Sequence, residues 1–531
     1  MQGFEVPQPG LWDAGALMGH LLPEGGMFAF LAGHRGEVFP DAEYADLFAA
    51  AGRPSLPATR MAAVLTLQDL HGFSDRETAE AVRFDLRWKM ALGLGIEDRG
   101  FDASVLVYWR RRIAASQRPH RVNDAVRQVI EATGILKGRR RRMADSTIFA
   151  DAVATQDTVT QLIAAIRRAA REVPGAAEVT GAECSGFDYS RGRRPVIDWS
   201  DPQAAEELVS ALVNDADTIV TALAGAELDE QAAAALALLG LVAGQDVEPA
   251  EGSDGTDGRW RIARGTSQDR MISQVDPEAR HSRKNRHAPV DGYRAHLAAE
   301  PSTGIITDEE LTMASGEDNS DAAAAARFVA REHDGGHAGG EDQGRLGWYG
   351  DSAYGTGDLR EAIRQAGDTA VIKPRPLKQA VEGGFTVEDF TVDHEAGTAT
   401  CPAGTTRHIT PAGMANFGAA CRGCPLRGRC TTAKAGKVLH VGARDQLLRA
   451  ARRDWADPAF RRDYRTTRPA VERIVAHVAV IRGRRQRLRY RGTAKNHAWL
   501  KRRTAAVNLR TLLRHGLTRR NGTWTLTTAP A

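Results

Sequence analysis

A short apolar run, Leu346-Gly347-Trp348-Tyr349, ends in Gly350-Asp351-Ser352-Ala353-Tyr354-Gly355. An acid at the exit of such a run, followed by small residues and a helical pattern, is where a fold can hold a metal ion. Two further acids have comparable settings: Asp145 in Met143-Ala144-Asp145-Ser146-Thr147, and Glu472 in Arg468-Pro469-Ala470-Val471-Glu472-Arg473. Carboxylates so far apart in sequence cannot share one local loop. They require a fold that assembles them, and metal-dependent phosphoryl transfer is the chemistry such a trio suits. The chain holds 67 acids, most of which belong on solvated faces. Local context, rather than spacing, therefore singles out these three.

The 531 residues leave room for two to four cores. Residues 1–40 read as an irregular lead-in and 41–138 as a helical domain. Met61, Val64, Leu65 and Leu70 form one apolar face, Gly72 ends that helix, and Ser74-Asp75-Arg76-Glu77 is a capping box for the next. A third helix carries Leu106, Tyr108, Trp109 and Ile113, with Arg110, Arg111 and Arg112 expected to be exposed between them. This order suits a helix-turn-helix-like DNA-binding unit, or a plain helical bundle. A strand at 143–150 and a helix at 159–171 follow. Residues 181–260 read as an insertion, helical over 204–241 and a Gly/Asp-rich linker over 248–258. Short strand candidates come next at 270–273, 291–297 and 304–307. A helix at 321–332, the Asp351 strand, a helix at 358–365 and a strand at 368–373 complete an α/β sheet with helices for both faces. The catalytic domain is thus expected over 139–180 and 261–520, with a tail at 521–531.

Basic residues are clustered although the net charge is only +4. Arg139 to Arg142 is an unbroken run, and Arg482 to Arg503 holds ten Lys/Arg and no acid. Such clustering points to a polyanionic partner. Candidate phosphate contacts are Arg482, Arg484, Arg485, Arg487, Arg489, Arg491 and Lys495, with Tyr490 and Trp499 interleaved. The alternative is a solvated surface helix. Ala505, Val507, Leu509, Leu512 and Leu513 return to helical apolar spacing, so this segment is expected to dock on the core. Met1 to Glu5 lacks a basic start with an apolar run, and Ala232 to Gly244 is too short to span a bilayer. The expected location is the cytoplasm, with no membrane partner.

Four of the five cysteines fall in Cys401-x19-Cys421-x2-Cys424-x5-Cys430, among Gly and Pro. Four thiolates suit a closed tetrahedral zinc site, which would staple a segment (394–435) too small to bury a core of its own. Reduced, unligated cysteines are the alternative. His394 and His408 are possible substitute ligands, and Cys184 has no assigned role.

These strings together resemble bacterial insertion-sequence transposases of the DDE class, in the branch with a helical N-terminal domain. The resemblance rests on Phe73-Ser74-Asp75-Arg76-Glu77, Phe101-Asp102-Ala103-Ser104, Ala144-Asp145-Ser146-Thr147, Asp291-Gly292-Tyr293-Arg294-Ala295-His296, the Asp351 string and the Arg468–Glu472 helix. It implies a ribonuclease H-like mixed sheet with flanking helices. Asp145, Asp351 and Glu472 would be the catalytic ligands of Mg²⁺ or Mn²⁺. The partners would be double-stranded DNA at terminal inverted repeats and at the target, bound by a homodimer near the nucleoid. The last helix of related transposases carries Tyr-x2-Arg-x3-Glu-x6-Lys. Here Arg468 and Glu472 fit, Tyr464 stands one residue early, and Ala479 occupies the lysine position, with Arg482 or Arg484 as nearby substitutes. Arg468 would meet the same phosphate as Glu472. Asp276 and His296 also fall in family-like strings, as sheet-edge support and as a residue pointing toward the site.

Overall fold

The computed structural model describes residues 1–5, 12–190, 194–267, 269–285, 288–334 and 344–527. The N-terminal region is helical: α1 (Met27–Val38), α2 (Ala58–His71), α3 (Asp75–Phe84), α4 (Leu86–Leu92), α5 (Ser104–Ala114) and α6 (Arg121–Thr133). Helix α2 is buried on nearly every side, as a central helix must be when apolar and small residues surround its axis. The expected capping box forms at Ser74 and Glu77. Two expectations change. The lead-in is not irregular, because α1 places Met27, Phe30, Leu31 and Val38 in the core. Its N-cap, Gly26, offers no capping side chain, so the sequence carried no start signal. Arg110 is not exposed, since its guanidinium is held by Asp75 at 2.8 and 2.5 Å and by Gln68.

A ten-residue strand, β1 (Arg141–Ala150), opens the central sheet. Three long helices follow: α7 (Thr158–Glu172), α8 (Pro202–Ala222) and α9 (Glu230–Gln245). They share a separate core of Leu162, Ile166, Leu212, Ile219 and Leu239, into which Met271 also packs. Residues 270–273 form no strand; Met271 makes one isolated bridge to Arg280.

The sheet resumes with β2 (Gly292–Ala299) and β3 (Ile306–Met313). Helix α10 (Asp321–Asp334), β4 (Gly347–Gly350), α11 (Gly357–Gln365) and β5 (Thr369–Ile372) complete it. Strand β3 runs well beyond the expected 304–307. It carries three consecutive acids, Asp308, Glu309 and Glu310, for which Arg331, Lys501 and Arg327 supply counter-charges. The strand order is β3-β2-β1-β4-β5. β1, β2 and β3 pair antiparallel, whereas β4 and β5 run parallel to β1. The result is a mixed α/β architecture with helices on both faces. Side chains along β1 alternate between two cores, as the period-two pleat requires. Met143 and Phe149 face one core, and Ala144 faces the other with Phe328 and Trp348.

A small module of short strands (391–393, 398–400, 406–408, 414–416 and 438–440) follows β5. Then come α12 (Asp445–Ala456), α13 (Pro458–Thr467) and α14 (Pro469–Ala479). A tight hairpin, β6 (Val480–Ile481) and β7 (Arg484–Arg485), leads to the 22-residue α15 (Thr493–Arg514). Helix α15 gives Leu500 and Val507 to the sheet core and Ala505, Ala506, Leu509 and Leu512 to the N-terminal core. The expected tail is partly built in: Thr523–Leu526 pairs with Leu517–Arg520, and Trp524 lies 5.8 Å from Phe30 between ring centres. Among the described residues, no helix is long and apolar enough to cross a membrane.

Candidate active site and cysteine module

The parallel register of β1 and β4 pairs Met143 with Tyr349. Continuing it by two residues brings Asp351, just past the end of β4, level with Asp145. Two acids 206 positions apart in the chain are thus neighbours because adjacent parallel strands carry them. Asp145 accepts from the Ser146 N–H at 2.9 Å, and Asp351 from the Ala353 N–H at 2.8 Å. The second bond caps a 3-10 turn, which explains the small residues after Asp351.

Arg468 ties the pair together. It stands between α13 and α14, where Pro469 at the first position of α14 separates the two helices. Its Nη1 lies 3.2 Å from Asp145 Oδ2 and its Nη2 3.9 Å from Asp351 Oδ2. Burial raises the Asp145 carboxyl above the usual range, and the Arg468 charge opposes that rise. Asp351 is more open, its side chain 45% exposed against 16% for Asp145. Tyr464 is buried beside them, edge-on to Trp455 at 5.0 Å.

Glu472 is exposed on the first turn of α14, four residues after Arg468 and hence on the same side of the helix. Among the described residues, no group of three or more His, Cys, Asp or Glu side chains is placed so as to hold a metal ion. The fold therefore gathers two of the three acids around Arg468 and leaves Glu472 one turn away on the surface. Ala479, at the expected lysine position, is buried in the core. Of the proposed substitutes, Arg482 lies over the Phe73 ring, 5.0 Å from its centre, and Arg484 is exposed. A cation that was not singled out for this role, Arg485, comes closest to β1. Its Nη2 donates to Thr147 Oγ1 at 2.5 Å and to the Ile148 carbonyl at 2.8 Å. Thr147 shares the Asp145 face of the strand, two residues on.

His296 does not point toward Asp145. It lies across from Ser146, on the opposite face of the sheet, with Nδ1 3.4 Å from Asp321 and Nε2 3.1 Å from Thr312 Oγ1. Asp276 is buried and accepts from the Tyr293 hydroxyl at 2.7 Å and from the Gly492 N–H. With Glu278, which accepts from the Thr493 N–H, it caps the start of α15. Sequence reading also missed Tyr354. Its fully buried hydroxyl has no hydrogen-bond partner and sits within the field of Asp145, Asp321 and Asp351.

Cys401, Cys421, Cys424 and Cys430 line one cavity of about 30 Å³, walled by Phe385, Phe390 and Phe417. All are free thiols, and the Lys437 N–H donates to Cys421 Sγ at 3.5 Å. Burial raises the Cys430 thiol. The substitute ligands do not join them: His394 is 3.3 Å from Asp445, and His408 lies exposed on a strand. Cys184 belongs to the helical insertion, where it meets the Asp215 carbonyl.

A mixed sheet that brings two acidic strand positions under one arginine is consistent with the DDE class. Residues 31–112 match a family model described as a transposase domain (DUF772), and residues 400–513 match one described as a transposase DDE domain. The two matches support an insertion-sequence DDE transposase. The second spans the four cysteines, Arg468 and Glu472, while Asp145 and Asp351 lie outside both. No curated protein and no solved structure matches the chain.

Proposed function

We propose that this chain is a DNA transposase that binds the ends of an insertion element and carries out divalent-metal-dependent phosphodiester cleavage and strand transfer on a ribonuclease H-like sheet. The observation that carries the reading is the convergence of Asp145 and Asp351, from adjacent parallel strands, on Arg468. A carboxyl whose pKa is raised by burial gains from a nearby cation, and carboxylate oxygens are the donors Mg²⁺ and Mn²⁺ prefer. Bound between Asp145, Asp351 and Glu472, a pair of such ions would activate the attacking oxygen and stabilise the leaving one. Arg468 orients both aspartates and offers its remaining N–H groups to a phosphate. Glu472, exposed on the first turn of α14, would be the third residue to hold such ions. The partners are terminal inverted repeats and target DNA, engaged by a homodimer in the bacterial cytoplasm.

A cleavage and strand-transfer assay on DNA carrying the element's ends, with Mg²⁺, tests this reading. Wild type should cut and join, and Asp351→Asn should do neither while still binding. Binding without cutting by wild type would make the chain a silent DNA binder, and cutting without joining would make it a nuclease.

Among the described residues, no three of the cysteines stand where they could hold an ion, but the four line one cavity and would supply a closed structural Zn²⁺ site once drawn together, which would staple a module with only a small core. Deprotonation on binding would draw the thiols inward. Metal analysis of freshly purified protein should find about one zinc per chain, and zinc-free folded protein would end this claim.

A further inference from the structure

The segment after the β6–β7 hairpin alternates: Arg485, Gln486, Arg487, Leu488, Arg489, Tyr490, Arg491. Burial follows the alternation. All four arginines are exposed, whereas Leu488 is buried and Gln486 and Tyr490 are half-buried. The chain here lies along the end of β1: Arg487 forms a bridge with Ala150, and the Leu488 N–H donates to the Ala150 carbonyl at 2.9 Å. Side chains two residues apart on such an extended segment are spaced by about 6.6 Å, which suits adjacent phosphates of a nucleic-acid strand.

The partners of these arginines are the second observation. Arg485 donates to the Thr147 hydroxyl and the Ile148 carbonyl, Arg487 to the carbonyls of Asp151 and Val153, and Arg489 to the Gly72 carbonyl. These acceptors are neutral, so they fix each guanidinium without cancelling its charge. Asp151 lies within the field of Arg487, and Asp75 and Glu77 within that of Arg489. Asp75 is already paired with Arg110. The row starts beside Asp145 and ends at the α2–α3 turn, where contact is close: a Cβ on Gly72, at φ 68°, would lie 2.7 Å from Ile481 Cδ1.

We infer that Arg485, Arg487 and Arg489 form a pre-set track for successive phosphates of one DNA strand, running from the carboxylate pair to the N-terminal helical domain, with Arg491 exposed just beyond its end. The inference rests on the transposase reading for its direction. Fixed donors lose little freedom on binding, so the track adds affinity that does not depend on base sequence.

Duplex DNA binding is measured by fluorescence anisotropy over a salt series with Mg²⁺ and Mn²⁺ left out, so that cleavage plays no part. Each arginine lost from the track should flatten the slope of log K against log salt by about 0.9. Arg487→Gln/Arg489→Gln should therefore lower it by about 1.8. Arg259→Gln, in a surface pair with Asp257, is the control and should leave it unchanged. Arg487→Lys/Arg489→Lys keeps the charge and should keep most of the slope, which separates lost charge from lost folding. A glutamine variant with the wild-type slope, or a control that falls equally, overturns the track. If the slope falls as expected but wild type never cuts, the track stands and the catalytic reading fails. If wild type cuts while the slope is unmoved, the reverse holds.

Discussion

Two arginine-rich segments, one unbroken and one alternating, have different roles in the fold. In the run 139–142, Arg142 is buried against Glu332, with Nη2 at 2.5 Å and both side chains no more than 6% exposed. Arg141 pairs with Asp463 at 3.0 Å nearer the surface. In the segment 485–491, the guanidinia of Arg485, Arg487 and Arg489 rest on carbonyl and hydroxyl oxygens and stay exposed. The type of acceptor separates the two cases. A carboxylate neutralises an arginine and builds it into the structure, whereas a carbonyl holds it in place with its charge intact for a partner. Arg468 lies between these cases, because it bridges two carboxylates and still borders the site.

The largest effect that could break this contrast is Arg142→Ala. Leaving Glu332 buried without its partner should cost about 3–5 kcal/mol, seen as a lower denaturation midpoint, with the salt slope of DNA binding unchanged in folded protein. A slope change would show that the first run also meets DNA. Arg468→Ala should slow single-turnover cleavage by ~10²-fold or more, with Arg468→Lys recovering only part because a lysine offers a compact point charge in place of the planar fork. Full activity in the alanine variant would remove Arg468 from the site. Next comes Asp151, beside Arg487, whose carboxyl burial lifts from 3.8 to about 6. The folded state then binds more protons than the unfolded one, so this group's contribution to stability declines as pH rises from about 4 to about 6. Asp151→Asn should melt several degrees higher than wild type at pH 7 and near wild type at pH 4. Equal melting at both values would mean that Arg487 already neutralises the acid. The smallest effect belongs to Arg141→Ala, whose half-exposed pair should contribute under ~1 kcal/mol; a larger loss in melting would place Arg141 with Arg142.

Much of the central sheet is legible in sequence. The strand at Asp145, helices α7, α10 and α11 and the strand before Asp351 follow from clear apolar periods and turn residues. The convergence of Asp145 and Asp351 needed the parallel register, which no local pattern carries. Strand β3 was under-read because its acids are neutralised by cations from α10 and α15, far away in the chain. Arg110 was misjudged for a related reason: its partner, Asp75, sits on a different helix. The Arg485 position was hidden by the β6–β7 turn, which swings the chain back onto β1. The resemblance supplied Glu472; the fold places it on the first turn of α14, exposed, four residues after Arg468 and not against the aspartates.

Helix α15 also constrains the order in which the protein can be made. The N-terminal core, which begins at Met27, is completed by Ala505, Leu509 and Leu512. When Ile113 has been synthesised, the last pieces of its core are still some 390 residues away. At ribosomal speeds that gap lasts roughly 20–80 s. Through that interval α2, which is buried on nearly every side in the finished fold, has no complete shell. The N-terminal helices are thus synthesised well before the helix that seals them.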